Sequence, residues 1–324
     1  MKNKISVLLC TYNNKQYVKN CIESILKQSE RSFEILCIDG GSSDGTLDLV
    51  KSYSKKDKRV KLIINKNRLP EGRGNGKWLG FKKANGEVVA IIDQDNILQN
   101  KDLFRDAYLS LRDEKNSFGV LGALTHDFKD NLVTRYISLF GTDSFFAFKS
   151  VDYLRFFKKI EKRHYYQLLK FSKSNPWITG GNCFFYRRKD IVSIGGYDRD
   201  VSSVNNLVKS GKTDLIIIPD STKHYAETSF PNLIKKKFKW GRNFFSHKSK
   251  NKEFSYTSSK KGNILLLMNT LFSLTLVPNL LISLYLLMKK RDFVVLMFPI
   301  IAFLNTIAYA YEFARFEIST LLQK

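Results

Sequence analysis

The first hundred residues alternate short apolar runs of strand length with longer stretches whose apolar side chains recur at helical spacing, and the apolar runs end in polar or acidic residues. Runs at 5–10, 33–38, 60–64 and 88–92 read as strands. Between them, 17–28 places Val18, Cys21, Ile22, Ile25 and Leu26 at helical spacing. Asp44 stands where it caps a helix containing Leu47, Leu49 and Val50, and 76–85 reads as a third helix stopped by Gly86. This alternation predicts an α/β fold, a mostly parallel sheet with flanking helices. Ligands of such sheets bind outside the carboxyl ends of the strands. Thr11, Tyr12, Asn13, Asp39, Asp93 and Asp95 all fall there.

Two common nucleotide-binding loops are excluded. A dinucleotide fold needs GxGxxG after the first strand, where this chain has Thr11-Tyr12-Asn13-Asn14. A phosphate-binding P-loop needs Gly-Lys followed by Ser or Thr, whereas Gly76-Lys77 is followed by Trp78. What the fourth strand offers instead is Asp93-Gln94-Asp95. Two carboxylates one residue apart, where a strand becomes a turn, can both face a cation. Oxygen ligands of this kind suit Mg²⁺ or Mn²⁺, which commonly bind substrate phosphates as well. An isolated Asp-x-Asp is equally compatible with an ordinary turn.

Its context is not isolated. TYNN, IDGGSSDGT, ANGEVVAIIDQDN and TGGNCFFYRRKDIVSIGGYD occur in order, and over roughly residues 4–242 the chain resembles the family 2 glycosyltransferases of GT-A fold. The resemblance implies a Rossmann-like GT-A domain and transfer of a sugar from a nucleotide-diphosphate donor. Thr11, Tyr12 and Asn13 match the nucleotide-contacting turn, and Asp39 the first acid of the base-reading motif. The second acid often found there is Gly40 in this chain. Lys77 occupies the place of a frequent arginine near the donor phosphates. Asp93 and Asp95 match the metal and sugar-diphosphate motif, and Gly180, Gly181 and Asn182 the acceptor-side loop. His224 matches a late histidine that can approach the metal. Other roles stay open: a turn cap for Asp39, a solvated helix position for Lys77, a backbone turn for the glycines, and a satisfied strand-end position for His224.

An inverting transfer also needs a base for the acceptor hydroxyl. The family's usual Glu-Asp pair is absent, since Gly196-Tyr197-Asp198-Arg199-Asp200 is followed by Val201-Ser202-Ser203. Asp200 is the candidate base by proximity and Asp198 the second. Residues 128–176 are rich in aromatic and basic side chains, among them Tyr136, Phe140, Tyr165 and Tyr166. This segment, with Trp240 and Arg242, is the expected receiver of a polyprenyl-phosphate or lipid-linked saccharide. An amphipathic helix pair closing the core is the alternative.

The net charge of +24 calls for a polyanionic partner. Much of the apolar content lies after residue 262. Residues 264–288 carry no charge over 25 positions, enough helix to exceed a ~30 Å hydrocarbon core, and 293–311 carry none over 19. The pair reads as a membrane hairpin, interrupted by Pro278, Asn279 and Pro299. Lys260 and Lys261 precede it and 289–291 are basic at its tip, so a fully spanning hairpin cannot keep both clusters on one side. Lys235, Lys236, Lys237, Lys239 and Arg242, interleaved with Phe238 and Trp240, suit an anionic leaflet. The expected organisation is a GT-A domain over 1–230, a basic-aromatic juxtamembrane segment over 231–262, and a transmembrane or re-entrant hairpin over 263–324. Cys10, Cys21, Cys37 and Cys183 show neither metal nor disulfide spacing, and the first apolar run is too short for a signal peptide. The expected setting is therefore the cytoplasmic face of a membrane, with a UDP- or GDP-sugar donor, a lipid-linked or glycan acceptor, and no nucleic acid. A processive synthase is disfavoured, since only Lys239-Trp240-Gly241-Arg242 approaches its QxxRW motif. A non-catalytic scaffold is disfavoured by the retention of both Asp93 and Asp95.

Overall fold

The computed structural model describes residues 4–66, 75–141, 160–170, 182–198, 200–225, 229–248 and 260–322. Its chain divides into two compact units, Met1–Thr125 with Lys158–His224, and His126–Phe157 with Tyr225–Lys324. Residues 126–157, which the sequence pattern leaves inside the N-terminal domain, thus group with the C-terminal helices.

In the first unit the expected alternation is present. The strands are β1 (Ile5–Thr11), β2 (Phe33–Asp39), β3 (Val60–Ile64), β4 (Val88–Ile91), β5 (Asn96–Leu98), β6 (Ser117–Leu124), β7 (Ile160–Lys162), β8 (Gln167–Lys170), β9 (Phe184–Arg187) and β10 (Asp214–His224). They form one sheet in the order β3-β2-β1-β4-β9-β6-β10-β8-β7, with β5 on β10. The first four strands in that order are parallel. Beyond β4 the sheet is mixed, because β9 enters antiparallel to both β4 and β6. Of the parallel strands, β1, β2 and β4 are buried on both faces, with Val7 and Ile35 at 0% exposure and Leu8 and Leu36 at 1% and 2%, as such strands must be when helices cover them. Helices α1 (Lys15–Leu26), α2 (Thr46–Lys56) and α3 (Gly76–Lys83) follow the first three strands, and α4 (Leu103–Asp113) precedes β6. Phe104 of α4 meets Phe33 and Phe185 edge-on at 5.3 and 5.8 Å, pinning α4 to the sheet. Each such ring pair adds about 0.5–1.5 kcal/mol beyond the area it buries. Cys21, Cys37 and Cys183 are buried and none of the four cysteines is paired.

Register puts the functional ends side by side. Thr11 lies opposite Asp39, and Leu8 opposite Ile91, so β4 runs out into Asp93 next to the exit of β1.

The second unit is helical among its described residues: α5 (Leu132–Phe140), α8 (Phe230–Lys248), α9 (Lys260–Thr275), α10 (Val277–Lys290), a 3-10 turn at Phe293–Met297 and α11 (Phe298–Leu321). The chain's α6 (Arg188–Ser193) and α7 (Asp200–Lys209) belong to the first unit. The uncharged run at 264–288 is two helices, not one. It breaks at Leu276, whose φ is 60°. Pro278, in the first turn of α10, supplies the reason: it has no N–H to continue a ladder and its ring clashes with the carbonyl four residues back. Pro299 interrupts nothing. It lies in the first turn of α11, where a missing N–H costs no hydrogen bond. Among the described residues, only 293–321 form a helical stretch long and apolar enough to cross a membrane, and half of its most apolar window is buried in the protein.

Candidate active site

The turns after β1 and β2 are stitched together by side chains. Asp39 is fully buried, and both its oxygens are engaged. Oδ1 accepts from the N–H groups of Gly41 and Ser42 at 2.9 and 2.8 Å, and Oδ2 from the hydroxyls of Thr11 and Ser42 at 2.8 and 2.7 Å. Asp39 therefore holds the floor of the turn rather than projecting from it. Asn13 adopts a left-handed conformation, φ 41°, that asparagine tolerates better than most residues. Its Oδ1 accepts from Ser43 N at 2.8 Å, while Asn14 N and Lys15 N donate to Thr46 Oγ1 and Asp44 Oδ2, both at 3.0 Å. The turn 11–13 is thus rigid, with Tyr12 40% exposed at its outer rim.

Helix α3 begins at Asn75, whose side chain accepts from Trp78 N at 2.8 Å. A β-carbon on Gly76 would come within 2.8 Å of Cys10 Sγ, and one on Gly80 within 2.8 Å of Ile38 Cδ1. The two glycines let α3 lie directly over β1 and β2. That close approach puts Lys77, in the first turn, at the strand ends. Its Nζ is 2.9 Å from Asp200 Oδ2 and 3.6 Å from Asp93 Oδ1. Burial opposes the charge on Lys77, but Asp200 and Asp93 outweigh it and hold the ammonium above the usual lysine range. The other oxygen of Asp200 accepts a short hydrogen bond from Tyr197 Oη. Burial, reinforced by Asp200, pushes the Tyr197 hydroxyl well up, so it remains a donor. The Cys10 thiol beside Lys77 is pushed up to about 12 by burial, so it stays protonated and is no nucleophile at neutral pH.

The second acid of the pair reaches a different partner. Strand β5 pairs antiparallel with the end of β10, which sets Asn96 opposite His224. His224 Nε2 comes to 3.3 Å from Asp95 Oδ1. Burial and the charges of Asp95 and Asp200 raise the Asp93 carboxyl above its ordinary value, against Lys77 and His224. Among the described residues, Asp93, Asp95 and Asp200 form ion pairs with Lys77 and His224. Asn96 Oδ1 and His224 Nδ1, both buried, have no hydrogen-bond partner among the described residues. The donor set suits a hard divalent ion. Among the described residues no three His, Cys, Asp or Glu side chains stand close enough to hold one unaided. Such an arrangement fits an ion that arrives with, and is shared by, a substrate diphosphate.

Sequence reasoning missed three residues. Gln94 accepts from Tyr12 N at 2.9 Å and donates to Tyr12 O at 3.4 Å, locking the acidic turn to the β1 turn. Asn96 donates a short hydrogen bond to Asn182, which ties the expected acceptor-side residue to the same turn. Tyr197 lies in the quoted GGYD segment, and that motif was the available signal. Asp198 is partly exposed, and its N–H donates to Ser203 Oγ at 3.4 Å. Gly180 and Gly181 lie outside the described residues. Trp240 and Arg242 belong to the second unit, where Arg242 Nη2 is 3.0 Å from Glu312 Oε1. Tyr136 and Phe140, expected among sugar-facing aromatics, are instead fully buried against Phe230 and Phe298.

A family model described as Glycosyl transferase family 2 matches residues 6–195. The glycosyltransferase GlyG of Streptococcus pneumoniae serotype 4 is 31% identical over 122 residues, which is 38% of this chain and 39% of that protein. The putative glycosyltransferase EpsH of Bacillus subtilis is 34% identical over 95 residues, 29% of this chain and 27% of that protein. These stretches are well under two thirds of the relatives' length. In three dimensions the chain is similar to the mannosyltransferase PcManGT from Pyrobaculum calidifontis, solved with GDP-Man and Mn2+ (TM-score 0.56, 13% identity, 96% of this chain and 88% of that one). It is also similar to S. aureus TarS 1–349 (TM-score 0.50, 16% identity, 99% and 92%). At such identities the likeness speaks to fold, and the fold is the GT-A α/β arrangement with an added C-terminal apolar helix. With the family match extending over more than half of its length, the chain belongs to glycosyl transferase family 2.

Proposed function

We propose that the chain is an inverting glycosyltransferase that moves a hexosyl group from a UDP- or GDP-sugar to a membrane-associated acceptor, a polyprenyl-phosphate or lipid-linked saccharide, in glycan assembly on the cytoplasmic face. The observation that carries the reading is Lys77, whose ammonium joins Asp93 of the diphosphate motif to Asp200 of the acceptor side. One side chain thereby spans the gap across which a sugar would be transferred.

The donor nucleoside rests on the turn of Thr11, Tyr12 and Asn13, with Asp39 bracing that turn from below. Asp93, Asp95 and His224 would hold Mg²⁺ or Mn²⁺ beside the donor diphosphate. When bound, the ion offsets the negative charge that builds on the leaving diphosphate. Lys77 adds a second positive charge on the same side. Asp200 takes the proton of the acceptor hydroxyl. The freed oxygen attacks the anomeric carbon, the bond to the diphosphate breaks, and the anomeric carbon inverts. Tyr197 orients the Asp200 carboxylate. Asn182 lies on the acceptor side. The C-terminal unit brings the protein to an anionic membrane.

The test is a screen of UDP- and GDP-sugars for Mn²⁺-dependent release of nucleoside diphosphate, with membrane extract as acceptor, for wild type and Asp200→Asn. Turnover lost in the variant with donor binding intact supports the assignment. Wild-type turnover in Asp200→Asn removes Asp200 from the role, and no turnover with any donor overturns the reading.

A further inference from the structure

The helices after residue 260 invert the usual pattern of a water-soluble protein. Ile264, Leu267, Leu271, Leu281, Met288 and Ile300 are 50–75% exposed or close to it, whereas Ser273, Asn279, Ser283, Asn305 and Thr306 are buried between the helices. Polar groups inside and large apolar groups outside suit a hydrocarbon surround. The helices are too short for the spanning form of the expected transmembrane or re-entrant hairpin: α9 has 16 residues and α10 has 14, about 24 and 21 Å against a ~30 Å core. Between them the backbone turns at Leu276.

The far end of this pair is tied down. Asp292, two residues past α10, is 1% exposed and accepts from Arg135 Nε at 3.0 Å, with a second, shorter bond from Arg135 Nη2. His126 Nε2 lies 3.3 Å from the same carboxylate. Arg135 is on α5, and α5 also receives the start of α8, through Tyr136 and Phe230, and the start of α11, through Phe140 and Phe298, stacked at 4.4 Å. The exit of α10 and the starts of α8 and α11 therefore share one anchorage.

Helix α11 is also not free to cross. It packs on α8, with Phe238 against Tyr311, Arg242 on Glu312 and Phe245 against Phe313, and the starts of both helices meet α5. Gly241 faces the same stretch of α11, where a β-carbon would stand in ordinary contact, 3.4 Å from Glu312 Cβ. Helix α8 carries Lys235, Lys236, Lys237, Lys239 and Arg242, and each such charge costs about 2.5–3.5 kcal/mol at a bilayer centre. A helix bound to α8 stays with it at the headgroup level.

We infer that the C-terminal unit is a monotopic anchor, in which α9 and α10 form a broken re-entrant wedge entering and leaving an anionic leaflet on one side while α8 and α11 lie along the interface. The start of the wedge at position 260 and its end at Lys289, Lys290 and Arg291 then lie on one side of the leaflet, so the basic positions of the sequence at both ends no longer conflict as they do in a spanning hairpin. This rests on the membrane association proposed above, so the experiment reads association and topology separately.

The protein is added to sealed vesicles of phosphatidylcholine and phosphatidylglycerol and floated. Variants with one added cysteine, Lys261→Cys, Lys289→Cys, Leu267→Cys and Leu280→Cys, are then exposed to a membrane-impermeant maleimide before and after detergent, with the labelling of wild type, which carries the four native cysteines, subtracted. The expected result is flotation, full labelling at 261 and 289 without detergent, and protection at 267 and 280 until detergent is added. Protection at 289 means that the segment spans, and overturns the wedge. Rapid labelling at 267 and 280 in floated protein means surface adsorption only, and also overturns it. Failure to float, whether as monomer or with the apolar face covered by a second copy, removes the membrane reading itself. Leu267 and Leu280 lie on different arms, so misfolding of one variant leaves the other to decide.

Discussion

Replacing Lys77 by methionine keeps the length of the side chain and removes its charge. At an effective dielectric of about 20, a charge pair at 2.9 Å is worth roughly 5–6 kcal/mol and one at 3.6 Å roughly 4–5 kcal/mol. Neither is the net value. Side chains of Lys77, Asp200 and Asp93 keep 22%, 30% and 37% of their exposure, so water screens them and the ammonium has already lost hydration. Breaking a fully buried pair costs about 3–5 kcal/mol, and partial exposure lowers the expectation here to about 2–4 kcal/mol. If Asp93 and Asp200 must face each other across the transfer gap, that loss falls on the transition state. The expected fall in kcat/KM is then about 30- to 10³-fold, and Lys77→Arg, which can bridge both carboxylates, stays within about tenfold. Because both pairs are already formed in the folded protein, thermal stability should fall as well. Removing a cation from the first turn of α3 returns about 0.3–1 kcal/mol against the helix dipole. The assay is nucleoside-diphosphate release at saturating Mn²⁺ with thermal melts alongside. A folded Lys77→Met protein with kcat/KM within about threefold of wild type, or above it, would falsify the bridging role.

Gln94→Ala cuts the tie between the acidic turn and the Tyr12 backbone and costs about 1–2 kcal/mol, expected as a raised donor KM with kcat less affected; equal changes in both count against a positioning role. Gly76→Ala drives a methyl to within 2.8 Å of Cys10 Sγ and should destabilise by about 1–3 kcal/mol in thermal melts. Adding Cys10→Ala, whose Cβ stands 3.7 Å from the new methyl, should recover most of that loss. At Asp292, burial raises the carboxyl, but the hydrogen bonds from Arg135 and Val294 outweigh it and leave it below its ordinary 3.8. Its stabilisation is therefore complete above about pH 4 and lost as pH falls through the depressed native value. The protection factor of the Val294 amide, which donates to Asp292 at 2.9 Å, should fall below about pH 4 in wild type and already be low at about pH 7 in Arg135→Met.

The strand ends were readable because two independent signals coincide there. Apolar runs of strand length mark β1, β2 and β4, and polar residues follow each run immediately, so Thr11, Asp39 and Asp93 had to lie together once the strands were parallel. What those side chains do was less readable. Asp39 has the right place but spends all its hydrogen-bonding capacity on its own turn, a matter of local loop geometry that spacing does not encode. The meeting of Lys77 and Asp200 spans 123 positions and depends on how closely α3 approaches the sheet. Its local trace is a pair of glycines four residues apart. His224 reaches Asp95 only through the three-residue strand β5, too short to leave a periodic signature.

The C-terminal segment shows the opposite imbalance. Its apolar length was plain, and length alone argued for a hairpin that crosses. Two facts redirect it. Pro278 divides the longer run into arms that each fall short of the hydrocarbon core. Asp292 returns the end of the second arm to α5, 157 positions away from its partner Arg135. The charge on α8 then bears on α11 as well, because Arg242 and Glu312 hold the two side by side. An uncharged run states how far a helix could reach into a bilayer. The ion pair past its far end states where it must come back, and here that end returns to the α5 anchorage shared by the starts of α8 and α11.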